Sequence, residues 1–109
     1  MNTLLIDGKI GGGLVLYHCY YGVISPDTMG ENCKVWHGVT IGFKNDLAPV
    51  IGNNVSISTG AVISGGLMIG DNVKIGPNSL IIKDIDSNCV VISDPGYVVK
   101  RDGKKVMEK

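Results

Sequence analysis

Ile51-Gly52-Asn53-Asn54-Val55-Ser56-Ile57-Ser58-Thr59-Gly60-Ala61-Val62-Ile63 opens a run to Ile85 in which one apolar position returns every six residues. Ile51, Ile57, Ile63, Ile69, Ile75 and Ile81 form one series. Val55, Ala61, Leu67, Val73, Ser79 and Ile85, four residues behind, form a second. A helix repeats its apolar positions at steps of three and four, and a half-buried strand alternates every two. A strict six, with Gly52, Ser58, Ser64, Gly70 and Gly76 after the isoleucines, is instead the mark of a hexapeptide solenoid, a parallel β-helix. Each hexad supplies a short strand and a corner, and the isoleucines stack inward coil upon coil.

Composition agrees with an all-β solenoid. The chain has 109 residues, 16 glycines and 6% aromatic residues, which suits a thin repeat better than a sandwich core. Solenoids are quasi-one-dimensional and bury little in isolation, so caps or partners for the terminal coils are expected. Ten basic and ten acidic residues cancel, and no field favours nucleic acid or an anionic membrane as partner. Cys19, Cys33 and Cys89 show no tight pairing motif, so a reduced, cytoplasmic setting is expected. No leader pattern and no apolar run near ~20 residues is present.

Outside the central run the period weakens and slips. Leu4, Ile10 and Leu16 are six apart, so the sequence opens inside a coil, as a shortened family member or a fragment would. Gly11-Gly12-Gly13 lacks the Lys-Ser/Thr of a phosphate loop and reads as tight corners. After Leu16 the count slips by one, with Val23, Met29, Val35 and Ile41 resuming it, so an extra residue is expected beside His18. Irregularities of this kind re-aim side chains near active sites. Trp36 and His37 fall at outward or corner positions between the inward Val35 and Val39. Between Ile41 and Ile51 the gap is ten, so about four surplus residues leave the prism as a loop within residues 42–50. Beyond residue 99 a basic tail, residues 100–109, is assigned no function.

Tyr17-His18, the block His37-Gly38-Val39-Thr40-Ile41-Gly42 and the hexads together carry a resemblance. The chain resembles the hexapeptide-repeat acyltransferases, in the branch of the serine acetyltransferases and exopolysaccharide O-acetyltransferases. The resemblance covers roughly residues 10–99 and implies a single-stranded left-handed parallel β-helix over residues 1–99, of about four coils. It also implies a homotrimer with active sites between neighbours. His18 matches the family's catalytic histidine, which takes a proton from an acceptor hydroxyl as that oxygen attacks acetyl-CoA; imidazole titrates near neutrality, as this work requires. His37 is carried as a second catalytic candidate. Acetyl-CoA is expected against Gly42, Thr59, Gly60, Gly76, Pro77 and Lys83, with Pro77 lacking the N–H for a main-chain contact. Tyr17, Trp36 and Asp46 are the acceptor-side candidates. No metal is expected: the zinc enzymes of this fold need three histidines, and the chain has only His18 and His37.

Three departures from the serine enzymes shape the expected acceptor. Tyr17 stands where they carry Asp, Leu47-Ala48 where they carry Arg-His, and Thr3 where an aspartate orients the catalytic histidine. Asp7 is the nearest acidic residue in sequence to His18. Those substitutions favour a sugar hydroxyl of a surface polysaccharide or its precursor. Serine O-acetylation for cysteine synthesis, and a truncated non-catalytic β-helix acting as a scaffold or binding module, are the alternatives.

Overall fold

The computed structural model describes residues 4–18 and 21–108; Thr3, Cys19 and Tyr20, drawn on in the sequence reading, lie outside them. Among the described residues there is no helix. Fourteen short strands wind into a left-handed parallel β-helix with three faces. The first face stacks β1 (Leu4–Ile6), β4 (Gly22–Ile24), β7 (Thr40–Gly42), β10 (Val62–Ser64) and β13 (Leu80–Ile81). On the second lie β2 (Lys9–Ile10), β5 (Thr28–Met29), β8 (Val50–Ile51) and β11 (Met68–Ile69), extended by a bridge from Ile69 to Ile85. The third carries β3 (Val15–Tyr17), β6 (Lys34–Trp36), β9 (Ser56–Ile57), β12 (Lys74–Ile75) and β14 (Val90–Val91).

Register explains the period. Val50 pairs with Met68, Ser56 with Lys74 and Val62 with Leu80, each partner lying three hexads further along, so three hexads close one turn. The isoleucines of the first series are 0 to 3% exposed, and of the second series Val55, Ala61, Leu67, Val73 and Ser79 are buried with them. Ser79 interrupts the apolar column, and its hydroxyl donates to the Gly76 carbonyl at 2.8 Å, which satisfies the polar group. Gly52 is needed because coils meet closely at this corner: a Cβ there would lie 2.3 Å from Asp71 Oδ1.

The prism has five coils, one more than expected. Its first and last turns escape a six-residue count, because a step of only four leads from Ile6 to Ile10 and from Ile81 to Ile85. The slip near His18 also differs from the expectation. Tyr17 pairs with Trp36 and Val23 with Thr40, so five residues link the lower pair members and three the upper. Two residues are therefore extra, and Ile24, not Val23, takes the buried place beneath Ile41.

The loop does leave the prism. Thr40 pairs with Val62 and not with Ser58, where three unbroken hexads would put its partner, and the surplus folds into a tight hairpin turn. Lys44 and Leu47 exchange backbone hydrogen bonds of 2.9 and 3.1 Å around Asn45 and Asp46, both at positive φ, as two-residue turns of this hand require. Residues 98–108 form an antiparallel ribbon, β15 (Val98–Arg101) and β16 (Lys104–Glu108), across the place where the sequence reading starts a tail. Cys33 is buried and Cys89 half-buried, and both are free thiols. No helix among the described residues is long and apolar enough to cross a membrane.

Ile63→Ala, deep in the central coil, is expected to cost about 2–5 kcal/mol in chemical denaturation. Val90→Ala, on an outward and exposed position, should cost less than about 1 kcal/mol in the same measurement.

Candidate active site

The corner between the third and first faces collects most of the candidate residues. β3 and β6 end there in Tyr17 and Trp36, which pair in register and stack at 4.5 Å between ring centroids with 16° between planes. His18 and His37 follow them on adjacent coils, both exposed. His18 has φ +46, a left-handed conformation rare outside glycine, directly after β3. Among the described residues no carboxylate lies within ion-pair distance of either imidazole. Asp7 sits at another corner, after β1, and its Oδ1 accepts from the Gly8 N–H at 2.7 Å.

The same corner continues upward. Lys34 pairs with Ser56 and Ser56 with Lys74, so Thr59 and then Pro77 stand above His37. The His37 carbonyl accepts from Thr59 Oγ1 at 2.7 Å and from the Gly60 N–H at 3.1 Å. The N–H of Gly60, one of the positions expected against acetyl-CoA, is thus already engaged. Gly60 has φ +72, and Gly76 donates its N–H to the Val91 carbonyl at 2.8 Å. Ser93 Oγ donates to the Pro77 carbonyl at 3.3 Å and ends the column.

Gly42, Asp46 and Lys83 are elsewhere. They lie at the other edge of the first face, where β7 and β13 run out and the 44–47 turn projects. One chain therefore brings Tyr17, His18, Trp36, His37, Thr59, Gly60, Gly76 and Pro77 together and leaves Gly42, Asp46 and Lys83 apart. The width of the face, about five extended residues or ~16 Å, separates the two groups. Beside the turn is an open recess of about 190 Å³ between Lys44, Leu47 and Ser64-Gly65-Gly66. The sequence reading missed Ser64 and Gly65 there, although the Gly-Gly pair marks a bend. Ser93 was missed as well, because it lies where the period fades. Among the described residues no three His, Cys, Asp or Glu side chains gather as a metal set.

Comparison with known proteins shows what the chain resembles. The family of bacterial transferase hexapeptides (six repeats) matches residues 48–83. Serine acetyltransferase of Synechococcus elongatus is 35% identical over 104 residues, covering 90% of this chain and 42% of that protein. Serine acetyltransferase of Staphylococcus aureus is 38% identical over 103 residues, covering 90% of this chain and 48% of that protein. The crystal structure of Neisseria gonorrhoeae serine acetyltransferase in complex with serine superimposes with a TM-score of 0.72 at 31% identity, covering 81% of this chain and 38% of that one. The chain spans about half the length of the curated relatives it matches. In repeat and fold the chain is similar to the hexapeptide-repeat acyltransferases. Among these, the relatives it resembles over most of its own length are serine acetyltransferases.

These findings overturn the polysaccharide acceptor. That expectation rested on a few side chains, whereas the likeness to serine acetyltransferases runs through 90% of the chain. Within one chain Leu47, 59% exposed, and Ala48 belong to the turn at the far edge of the first face, away from the corner that holds His18 and His37.

Trp36 is the only tryptophan, so its emission reports the stack. Tyr17→Ala should shift Trp36 fluorescence to the red and cost about 0.5–1.5 kcal/mol, the worth of a stacked aromatic pair. An unchanged spectrum would contradict the stacking.

Proposed function

We propose that the chain forms the acetyl-transfer domain of a serine O-acetyltransferase, with acetyl-CoA as donor and L-serine as acceptor. The observation that carries this reading is the histidine corner, in a chain similar along most of its length to serine acetyltransferases. His18 takes the proton of the serine hydroxyl as its oxygen attacks the thioester carbon. The tetrahedral adduct collapses with loss of the C–S bond, and the departing sulfur receives the proton. The Tyr17–Trp36 stack forms a wall beside the reacting hydroxyl, and its ring faces attract the serine ammonium in place of a carboxylate.

A second copy completes the site. Outward side chains of the first face run Leu5, Val23, Thr40, Val62 and Leu80 in register, with no charge among them. Leu5 and Leu80 are 60% and 64% exposed in one chain, an apolar strip of the kind that marks an interface. The corresponding strip of the third face includes Lys34 and Lys74. Three copies turned with their first faces toward a common axis set each histidine corner against the Gly42, Asp46 and Lys83 edge of a neighbour. Such a head-to-tail contact closes into a ring. A homotrimer therefore unites the two halves that one chain holds apart.

Two measurements test the reading. With L-serine and acetyl-CoA, thiol release should fall ~100-fold or more in His18→Ala, the usual scale for general-base work, and less in His37→Ala. Full activity of His18→Ala would remove the proposed base. In light scattering the chain should behave as three copies rather than one of 11.5 kDa. Leu80→Asp should give monomers and abolish turnover; an active monomer would refute the shared site.

A further inference from the structure

The C-terminal ribbon has no seat on its own chain. Neither β15 nor β16 packs against a strand of the prism, and an isolated two-stranded ribbon is marginal in water. Across its ladder Lys100 pairs with Lys105 and Arg101 with Lys104, and like charges directly opposite each other are destabilising. Arg101 has a counter-charge in Glu108, whose Oε2 accepts from its Nε at 2.9 Å. Lys100 and Lys105 stand side by side, exposed, and neither forms an ion pair among the described residues. Met107 on the same ribbon is 74% exposed. A surface that seats this ribbon must therefore offer carboxylates beside an apolar side chain.

The last coil of the prism has such a surface. Because the step from Ile81 to Ile85 is only four, no strand pairs along the upper side of β11, and Ile85 bridges to Ile69 alone. Asp84 Oδ1 fills part of the gap by accepting from the Met68 N–H at 2.8 Å, and Met68 is left 62% exposed. What remains is an open recess of about 250 Å³ between Met68, Gly70, Asp84, Ile85, Asp86 and Ser87. Asp84 and Asp86 are exposed and form no ion pair among the described residues. Two carboxylates and a methionine here match two lysines and a methionine on the ribbon.

We infer that the ribbon of one copy docks into the last-coil recess of its neighbour, with Lys100 and Lys105 on Asp84 and Asp86 and Met107 beside Met68. This rests on the three-copy arrangement proposed above, and no step of acetyl transfer depends on it. Within one chain the recess lies on the second face, across the prism from the corner where Ser93 ends the histidine column. Between copies that separation closes. The arrangement sets the histidine corner against the Lys83 edge of the neighbour, and Ser93 and Lys83 both follow strands of the last coil. Asp86 is three residues past Lys83, at most ~10 Å, and packed sheet faces lie about 10 Å apart. Lys100 is seven residues past Ser93 and reaches up to ~24 Å, so the lysines themselves, and not only the root of the ribbon, arrive at the carboxylates. The ribbon is a clasp across each subunit contact, and it is sensitive to salt because its charges are exposed.

The test follows the exchange of subunits between isotopically light and heavy assemblies of the full chain. Lys105→Glu should speed exchange about tenfold, because a leaving subunit breaks two contacts and each then holds a repulsion in place of an exposed ion pair. Asp86→Lys, at a side chain with no hydrogen bond among the described residues, should do the same. Combining the two restores the opposite charges and should restore slow exchange, a rescue that misfolding would not give. The effect of each single change should shrink as salt rises. Carbodiimide coupling of a mixed assembly should join Lys105 to Asp86 in peptides carrying one light and one heavy partner. Unaltered exchange in both single variants, or coupled peptides of one label only, overturns the clasp and leaves the three-copy site standing. A wild-type chain that scatters as a monomer overturns the clasp together with the arrangement beneath it.

Discussion

Coil-on-coil hydrogen bonding is the constraint on which this structure depends. Each strand of the prism pairs in parallel with the one a full turn further along the chain, and every inward side chain must sit over its predecessor. A coil with surplus residues cannot absorb them in a strand without lengthening one face and carrying the later inward side chains off the column they stack on. The surplus is ejected at a corner. That happens in the link between Tyr17 and Val23 and at residues 43–48, and the proposed chemistry uses both places. The rigid ladder is thus what makes the two irregular corners available for binding.

The regular part of the fold was legible because burial there follows sequence spacing alone. Ile51 through Ile81 could be assigned inward from periodicity, and each is buried. What could not be read were places where pairing overrides counting. Val23 continues a count from Leu16, yet the ladder to Thr40 and Ile41 buries Ile24. The last coil is short on the second face, and only the bridge from Ile69 to Ile85 reveals it. The ribbon at 98–108 carries no six-residue signal, although Asp102-Gly103 between alternating residues marks a hairpin turn. The candidate site was half legible. Tyr17, His18, Trp36 and His37 were found from spacing and resemblance. Their separation from Gly42, Asp46 and Lys83 depends on which face each corner borders.

Two corners of one prism make an instructive contrast. Between the second and third faces, the Asn53 side chain accepts from the Glu31 N–H at 2.8 Å and that of Asp71 from the Asn53 N–H at 2.7 Å. Ser87 Oγ accepts from the Asp71 N–H at 2.9 Å. Side chains there tie each coil to the next, and their polar atoms are consumed by the fold. At the histidine corner the main chain does much of that tying, as with the His37 carbonyl, and the imidazoles stand outside it. A polar residue at a corner is therefore structural or chemical according to whether its side chain or its backbone holds the neighbouring coil.

The three-hexad register between Val50 and Leu80 has a consequence of its own. Because one turn rises by a fixed step, the number of turns between the histidines and Ser93 is a graduated scale. Adding or removing one complete turn would leave every strand paired and change the distance from the reacting atoms to the ribbon by a single increment of ~4.8 Å. The solenoid thus measures length in whole units, and a chain of this kind can match its reach to a long, thin ligand without remodelling either end.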